Sequence, residues 1–333
     1  MSEENVKYNT STIAEMTDGI ILANFEKVPQ VRESAYQSEV ELERRMIENL
    51  VSQGYERLIV KSNDELYVNL KLQIEKLNGV SFTNEEWERF LQEYLDAPNE
   101  GIIEKTRKVQ ENYIHDFIFD DGHLKNIKII DKKNIHNNFL QVANQIVGEG
   151  KNRNRYDVTI LVNGLPLVHV ELKKRGVNLH EAFNQIHRYS KESFNSENSL
   201  YKYVQIFVIS NGTYTRYFAN TVAQDKNNYE FTCEWADAKN KIICDLEDFT
   251  NTFFEKRVIL EVLTKYCVFD VNNTLLIMRP YQIAATEKIL NRIIVSNNLK
   301  KTGRKEAGGY IWHTTGSGKT LTSFKTAQLA QGL

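Results

Sequence analysis

Cysteine is scarce in this chain, and the three present, Cys233, Cys244 and Cys267, follow no metal-binding spacing. Their odd number and irregular spacing fit a reducing cytosol and indicate no function of their own. Long apolar runs are also absent, since no stretch approaches the roughly 18 residues that a membrane-spanning helix needs. The polar N-terminus lacks the apolar segment of a secretory signal. We therefore predict a cytoplasmic protein with no membrane partner.

Strong net charge is lacking too. With 42 Lys and Arg against 44 Asp and Glu, the formal net charge is −2. Any nucleic-acid surface must therefore be local rather than global. The 333 residues, 41% of them hydrophobic, are enough for a sizeable core and suggest two domains, or one domain plus part of another. We found no internal repeat and no low-complexity tract.

The order of the elements predicts the fold class. Capping boxes at Ser38, Ser62 and Thr83 predict three helix starts. Alternating apolar patterns then predict strands between residues 117 and 218, including a hairpin around Asp120-Asp121-Gly122, and they are interrupted by a helix over about 178–194. This order indicates an α/β sandwich built around a mixed sheet. Helical patterns return after residue 246, and a short strand is predicted at Tyr310–Trp312.

The most informative stretch is RYDVTILVNGLPLVHVELKK at Arg155–Lys174. Asn163-Gly164 lies between two apolar runs, and Asn-Gly is the strongest short signal for a two-residue hairpin turn. Side chains alternate along the second strand, so that His169, Glu171 and Lys173 share one face. We expect this polar face to be half-exposed to solvent.

Asp157, Glu171 and Lys173 form the pattern D-x13-E-x-K. Two carboxylates that converge from paired strands offer hard oxygen ligands for Mg²⁺, and the ion can polarise a phosphodiester and lower the pKa of a water. The lysine can orient that water and offset negative charge. The alternative is a charged, solvated strand face with a surface ion pair. Basic residues on both flanks favour the first interpretation, since phosphate binding needs them; they are Lys151, Arg153, Arg155, Lys174 and Arg175.

These residues resemble a known family. Arg155-Tyr156-Asp157, Asn163-Gly164-Leu165-Pro166-Leu167 and Glu171-Leu172-Lys173 are similar to the PD-(D/E)xK nuclease core, and more narrowly to the restriction (HsdR) subunit of type I restriction-modification enzymes. Tyr156 stands where that pattern has proline, but the carboxylate is kept. The resemblance implies Asp157, Glu171 and Lys173 as catalytic residues, with Mg²⁺ held by the two acids.

The same resemblance implies roles for neighbouring residues. Gln185 and Tyr189, four apart on one helix face, are expected to contact DNA or support the metal site. Basic Arg155 and Lys174 are expected beside the DNA. The first helix often contributes another acid in this fold, and either Glu39 or Glu43 could serve as a further metal ligand. The alternatives are a partly buried tyrosine on an amphipathic helix and exposed helix acids.

Residues 313–320, His-Thr-Thr-Gly-Ser-Gly-Lys-Thr, lie between the predicted strand and a helix, which is the context of a P-loop. Backbone N–H groups and the helix N-terminus would bind the phosphates of ATP. His313 replaces the usual glycine, a departure that resembles superfamily 2 helicases and type I restriction motors. Gln282 matches their adenine-contacting glutamine. The predicted ATP-binding residues are Gln282, Thr315, Gly316, Ser317, Gly318, Lys319 and Thr320.

The resemblance therefore implies three regions: an N-terminal arm at 1–30, an endonuclease domain at 31–245, and linker helices followed by the start of a RecA-like motor at 246–333. It also implies double-stranded DNA and methyltransferase (M) and specificity (S) subunits as partners. We expect the chain to be an N-terminal piece of a longer protein, and we expect that this piece alone does not hydrolyse ATP. Two alternatives stay open: a non-cleaving DNA-binding or methyltransferase-docking module, and a DNA-repair nuclease-helicase.

Overall fold

The computed structural model describes residues 9–11, 24–26, 38–148, 154–194, 196, 199–222 and 228–333, the first two ranges by their backbone alone. Most of the predicted arm at 1–30 lies outside the described residues. Two short antiparallel strands within it are described, β1 (Asn9–Ser11) and β2 (Asn24–Glu26). Lys151 and Arg153, two of the predicted basic residues, also lie outside.

Contacts divide the chain into two compact units. The larger contains 36–233 and 244–276, and the smaller contains 1–35, 234–243 and 277–333. The helices at Leu246–Phe253 and Lys256–Glu261, in the stretch predicted to hold linker helices, thus belong to the same compact unit as the predicted endonuclease sheet. The domain boundaries at 30 and 245 stay a prediction, because a compact unit is not by itself an independently folding domain.

Local capping sets the start of the first helices. Ser38 and Ser62 each accept a hydrogen bond from the backbone N–H three residues later, and Thr83 forms a reciprocal capping box with Glu86. These bonds satisfy backbone donors that a helix start leaves unpaired. The helices are α1 (Glu39–Ser52), α2 (Asn63–Asn78), α3 (Asn84–Phe90), α4 (Ile102–Gln110), α5 (Leu179–Glu192), α6 (Leu246–Phe253), α7 (Lys256–Glu261), α8 (Pro280–Asn298) and α9 (Lys319–Ala330). Only α4 had no sequence prediction.

The strands fit the predicted α/β class. They are β3 (Glu56–Arg57), β4 (Ile114–Ile118), β5 (Leu124–Lys128), β6 (Leu140–Gly148), β7 (Asn154–Val162), β8 (Leu165–Leu172), β9 (Ile206–Ser210), β10 (Thr215–Ala219), β11 (Trp235–Ala236), β12 (Ile242–Ile243), β13 (Cys267–Phe269) and β14 (Leu275–Ile277). β4 and β5 form the predicted early hairpin as a separate two-stranded sheet.

The central sheet of the larger unit has the order β10-β9-β8-β7-β6-β3. β6, β7 and β8 run antiparallel, whereas β9 is parallel to β8 and β3 is parallel to β6. The sheet is therefore mixed, as the sequence predicts. α1 packs against β6, β7 and β8, and α5 packs against β8 and β9.

Burial of β8 differs from the prediction. Every residue of β8 is buried, and His169 and Glu171 are both 0% exposed. The expected half-exposed polar face is wrong, because Tyr189 and Phe194, from α5 and the turn after it, pack around His169. An alternating pattern predicts which residues share a face, but it does not predict what covers that face.

The smaller unit contains α8 and α9, where Thr326 Oγ1 donates to Thr286 Oγ1 at 3.2 Å. Pro280 occupies the first turn of α8, as its sequence predicts. The predicted strand at residues 310–312 is wrong: no strand in the described part of the chain pairs with it, and Tyr310 and Trp312 are each 88% exposed. No helix of the described residues is long and apolar enough to cross a membrane.

Candidate active site

The predicted hairpin forms through its Asn-Gly turn. Asn163 and Gly164 have φ of 52° and 83°, the left-handed values that a two-residue turn requires. The Asn163 side chain is fully buried, donating to Ile129 O at 3.1 Å and to Asn138 Oδ1 at 2.8 Å. The turn places Val162 opposite Leu165, and an irregularity between Ile160 and Leu161 then shifts the register of β7 against β8 by one residue.

That register places the predicted catalytic acids together. Val158 pairs with Val170 and Thr159 pairs with His169, so the next position along would set Asp157 opposite Glu171. Asp157 Oδ2 accepts a hydrogen bond of 2.8 Å from the backbone N–H of Leu172, directly after Glu171. The two carboxyl groups therefore lie at the same end of the hairpin.

Lys173 completes the predicted triad. Its Nζ lies 3.0 Å from Glu171 Oε1 and also donates to Leu172 O at 3.0 Å. These two bonds hold the amine beside the Glu171 carboxylate. The structure thus brings together Asp157, Glu171 and Lys173, the residues that sequence reasoning selected.

Burial changes the acidity of both acids. Burial, and next the negative charge of Glu171, raise the pKa of Asp157 to about 7. Burial likewise raises the pKa of Glu171 to about 7, although the charge of Lys173 opposes this shift. Two neighbouring carboxyl groups with raised pKa values lack enough positive charge around them, and a divalent cation would supply it.

His169 lies directly beside the triad. Its Nε2 is 3.4 Å from Glu171 Oε2, and this oxygen has no hydrogen-bond partner in the described part of the chain. Burial among aromatic rings lowers the pKa of His169 to about 4, so the imidazole is neutral at physiological pH. Glu171 Oε2 is therefore a buried carboxylate oxygen with no hydrogen bond to offset its burial.

The two candidate acids of α1 differ in their surroundings. Glu39 is exposed, accepts from the backbone N–H of Lys174 at 3.3 Å, and its charge contributes to the raised pKa of Glu171. Both oxygens of Glu43 instead accept hydrogen bonds from the side-chain amides of Asn144 and Gln145. Glu39 is therefore the freer of the two near Glu171.

The predicted support residues on α5 also approach the acids. Tyr189 is buried, accepts from Gln185 Nε2 and donates to the backbone carbonyl of Arg155 at 3.1 Å. Burial, followed by the negative charge of Glu171, raises the pKa of Tyr189. Arg155 and Lys174 are exposed on either side of this end of the hairpin. The pair at 185 and 189 thus fixes the start of β7.

Sequence reasoning missed Gln145. It lies inside β6 with a left-handed φ of 57° and donates to Glu43. No short motif marks this position, and a positive φ at glutamine has no sequence signal. Among the described residues, no group of three or more His, Cys, Asp or Glu side chains is arranged to hold a metal. The fit to a cation therefore rests on the two acids of the hairpin.

The predicted phosphate-binding loop has its own geometry in the smaller unit. Gly316 and Gly318 have φ of 80° and 74°, conformations that glycine adopts readily. Lys319 opens α9 and its Nζ donates to Thr314 O at 2.9 Å, while Thr315 and Thr320 are exposed. Tyr281 and Gln282 both donate to Ser317 O, at 3.0 and 2.9 Å. Gln282 thus contacts the loop directly.

Comparison with known protein families agrees with both regions. Residues 36–226 match the family described as "Type I restriction enzyme R protein N terminus", and residues 281–332 match "SWI2/SNF2 ATPase". The first match covers more than half of the chain. The chain therefore belongs to the type I restriction enzyme R protein family, and its residues 281–332 are also similar to a SWI2/SNF2 ATPase.

Individual relatives are also named as type I restriction enzyme endonuclease subunits. The chain is 55% identical over 300 residues to the "Type I restriction enzyme EcoprrI endonuclease subunit" of Escherichia coli, covering 89% of this chain and 96% of that protein. It is 37% identical over 300 residues to the SsaAORF53P endonuclease subunit of Staphylococcus saprophyticus, covering 88% of this chain and 30% of that protein. A putative endonuclease subunit of Methanocaldococcus jannaschii is 28% identical over 249 residues, covering 72% of this chain and 22% of that protein.

Proposed function

We propose that Asp157, Glu171 and Lys173 form a Mg²⁺-dependent nuclease site that hydrolyses phosphodiester bonds of double-stranded DNA, within a type I restriction enzyme that translocates DNA and cleaves it away from its recognition site. The observation that supports this best is the pair of acids at one end of the hairpin, with Glu171 Oε2 free of any hydrogen-bond partner among the described residues. Such a pair costs folding free energy unless a cation joins it.

The donor set fits Mg²⁺. This ion takes oxygen ligands, keeps several waters, and is commonly held by one or two carboxylates plus substrate phosphate. Asp157 and Glu171 would hold it, and Glu39 is the better placed of the two α1 acids to add a third carboxylate. When bound, Mg²⁺ polarises the phosphodiester and makes an attacking water more acidic.

Side chains of the protein would supply the rest of the chemistry. Lys173 Nζ, held by Glu171 Oε1 and Leu172 O, would place a positive charge where negative charge develops on the phosphate. Tyr189 and Gln185 would keep the start of β7, and so Asp157, in place. Exposed Arg155 and Lys174 would bind the DNA backbone, which orients the duplex without reading its sequence.

The order of elements supports a PD-(D/E)xK fold in particular. In chain order, α1 precedes three antiparallel strands, β6, β7 and β8, which are followed by α5 and then by β9, a strand parallel to β8; β3, α2, α3, α4, β4 and β5 lie between α1 and β6. The acids lie on the middle and last of the three antiparallel strands.

For the smaller unit we propose ATP binding at the loop of residues 315–320, as the start of a RecA-like motor. The left-handed glycines and the N-terminus of α9 suit a polyphosphate. The proposed partners are double-stranded DNA and the methyltransferase and specificity subunits. The relatives are named as restriction enzyme subunits, which favours restriction over DNA repair.

The test uses the type I restriction complex assembled with this protein, as wild type or variant. Glu171→Gln should lower plasmid cleavage at least about 100-fold while DNA-dependent ATPase activity persists. Glu181→Gln, which alters an exposed acid on α5, is the matched control and should cleave normally. If Glu171→Gln cleaves like wild type, the site is a non-cleaving DNA-binding or docking surface and our proposal is wrong.

A further inference from the structure

Gln145 has an unusual backbone for its position. Six non-glycine residues of the described chain have positive φ, and four of them are asparagines, which tolerate this conformation. Gln145, with φ of 57°, lies inside a long strand, β6. A left-handed residue of this kind is strained and persists only where its surroundings hold it.

The pairing of β6 with β7 is interrupted at this residue. Asn144 pairs with Val158 and Ile146 pairs with Tyr156, but Gln145 does not pair with Asp157 between them. The interruption therefore lies directly opposite the first acid of the proposed site. On its other side, Asp157 accepts its hydrogen bond from Leu172 of β8.

The side chains explain how the conformation is held. Successive residues of a regular strand point to opposite faces. Here the amides of Asn144 and Gln145 both donate to the carboxylate of Glu43 on α1. A left-handed residue lets neighbouring side chains reach one group, and the two hydrogen bonds to a buried carboxylate offset its cost.

We propose that Gln145 is a positioning residue of the nuclease site. Its left-handed backbone opens the sheet opposite Asp157, so that this carboxyl group turns toward β8 and lies beside Glu171, where the two acids can share a cation. The amide of Gln145 holds this backbone by binding Glu43. This inference rests on the proposed Mg²⁺ site at Asp157 and Glu171.

The backbone and side-chain roles make different predictions. Gln145→Val places a β-branched residue at positive φ, which favours a regular strand and closes the sheet opposite Asp157. Mg²⁺ affinity should then fall about 10-fold or more, as when a ligand loses its support. Gln145→Gly keeps the left-handed backbone without strain and should stay within about threefold of wild type.

Asn273 provides the matched control, because it also has φ of 57° but lies in the turn between β13 and β14. Asn273→Val should lower stability without changing Mg²⁺ affinity. The measurement is Mg²⁺ titration calorimetry on the 333-residue chain, with Mg²⁺ dependence of cleavage in the assembled complex as the second readout. If Gln145→Val fails to fold by circular dichroism, Gln145→Ala, with only a Cβ at the strained position, replaces it.

Two results would overturn the inference: Gln145→Val binding Mg²⁺ like wild type, or Gln145→Gly losing as much affinity as Gln145→Val. Failure of the proposed function is separate. If Glu171→Gln binds Mg²⁺ like wild type, the metal site itself is wrong, whatever the variants at Gln145 show.

Discussion

At the scale of single residues, the carboxyl group of Glu171 links the chemistry of the site to the stability of the larger unit. It is 0% exposed and its pKa is raised to about 7 by burial. Between its usual pKa and this value, the folded chain holds a proton that the unfolded chain releases. Folding stability therefore decreases as the pH rises through this window, and the full cost remains above pH 7.

This cost predicts that Glu171→Gln stabilises the protein at alkaline pH. A glutamine resembles the protonated acid, so the variant should be more stable than wild type by about 1–3 kcal/mol at pH 8 and nearly equal at pH 4. Urea unfolding at pH 4, 6 and 8 measures the difference. Saturating Mg²⁺ should reduce it by stabilising wild type alone.

Glu88→Gln, which changes an exposed acid of α3, should show no such pH-dependent gain. A Glu171→Gln protein that is less stable than wild type at pH 8 would contradict the raised pKa.

The sequence identified Asp157, Glu171 and Lys173 by their spacing, but it could not show that the polar face of β8 is buried. That fact depends on how α5 and the segment after it pack, which strand alternation does not contain.

At the scale of elements, local signals predicted what local interactions determine. The helix starts predicted at Ser38, Ser62 and Thr83 are confirmed, because a cap is formed within one helical turn. The helix α4 was missed because Gly101, at its start, offers no capping side chain. The strand expected at residues 310–312 was wrong because a strand needs a partner, and its own sequence does not supply one.

The hairpin turn between β7 and β8 gives a prediction at this scale. A Cβ on Gly164 would lie 2.7 Å from the Cα of Leu70 on α2, and φ is 83° there. Gly122 has a similar φ of 86° but open space around it. Gly164→Ala should therefore destabilise the chain by about 1–3 kcal/mol more than Gly122→Ala, because the backbone of α2 must move.

Chemical denaturation of both variants measures this difference, since the cost of positive φ is shared and cancels. Equal stabilities for Gly164→Ala and Gly122→Ala would mean that α2 does not pack against the turn. The comparison therefore tests the contact and not the conformation of glycine.

At the scale of the whole molecule, two compact units each contain one proposed ligand site. The acids of the hairpin belong to the larger unit, and the loop at 315–320 belongs to the smaller. The sequence predicted both sites because each is encoded within a short stretch. It could not predict that residues 244–276 pack with the larger unit, because this depends on contacts between residues far apart in the chain.

Because the two proposed sites lie in different compact units, we expect a variant at one site to lose ligand binding at that site alone. In hydrogen exchange, Mg²⁺ alone should protect residues of β7 and β8, and ADP added at saturating Mg²⁺ should protect the loop at 315–320. Glu171→Gln should remove only the first effect and Lys319→Ala only the second, since the lysine would bind phosphate. Loss of both effects in either variant would show that the two sites are coupled.

The buried turn at Asn163 also affects the chemical stability of the chain toward deamidation. Asparagine followed by glycine is prone to deamidation, because the glycine nitrogen can attack the side-chain amide with little obstruction. Here that amide is fixed by Ile129 O, Asn138 Oδ1 and the backbone N–H of Phe139. The folded chain therefore protects this amide from attack, and isoaspartate at Asn163 would show that this part of the molecule had opened.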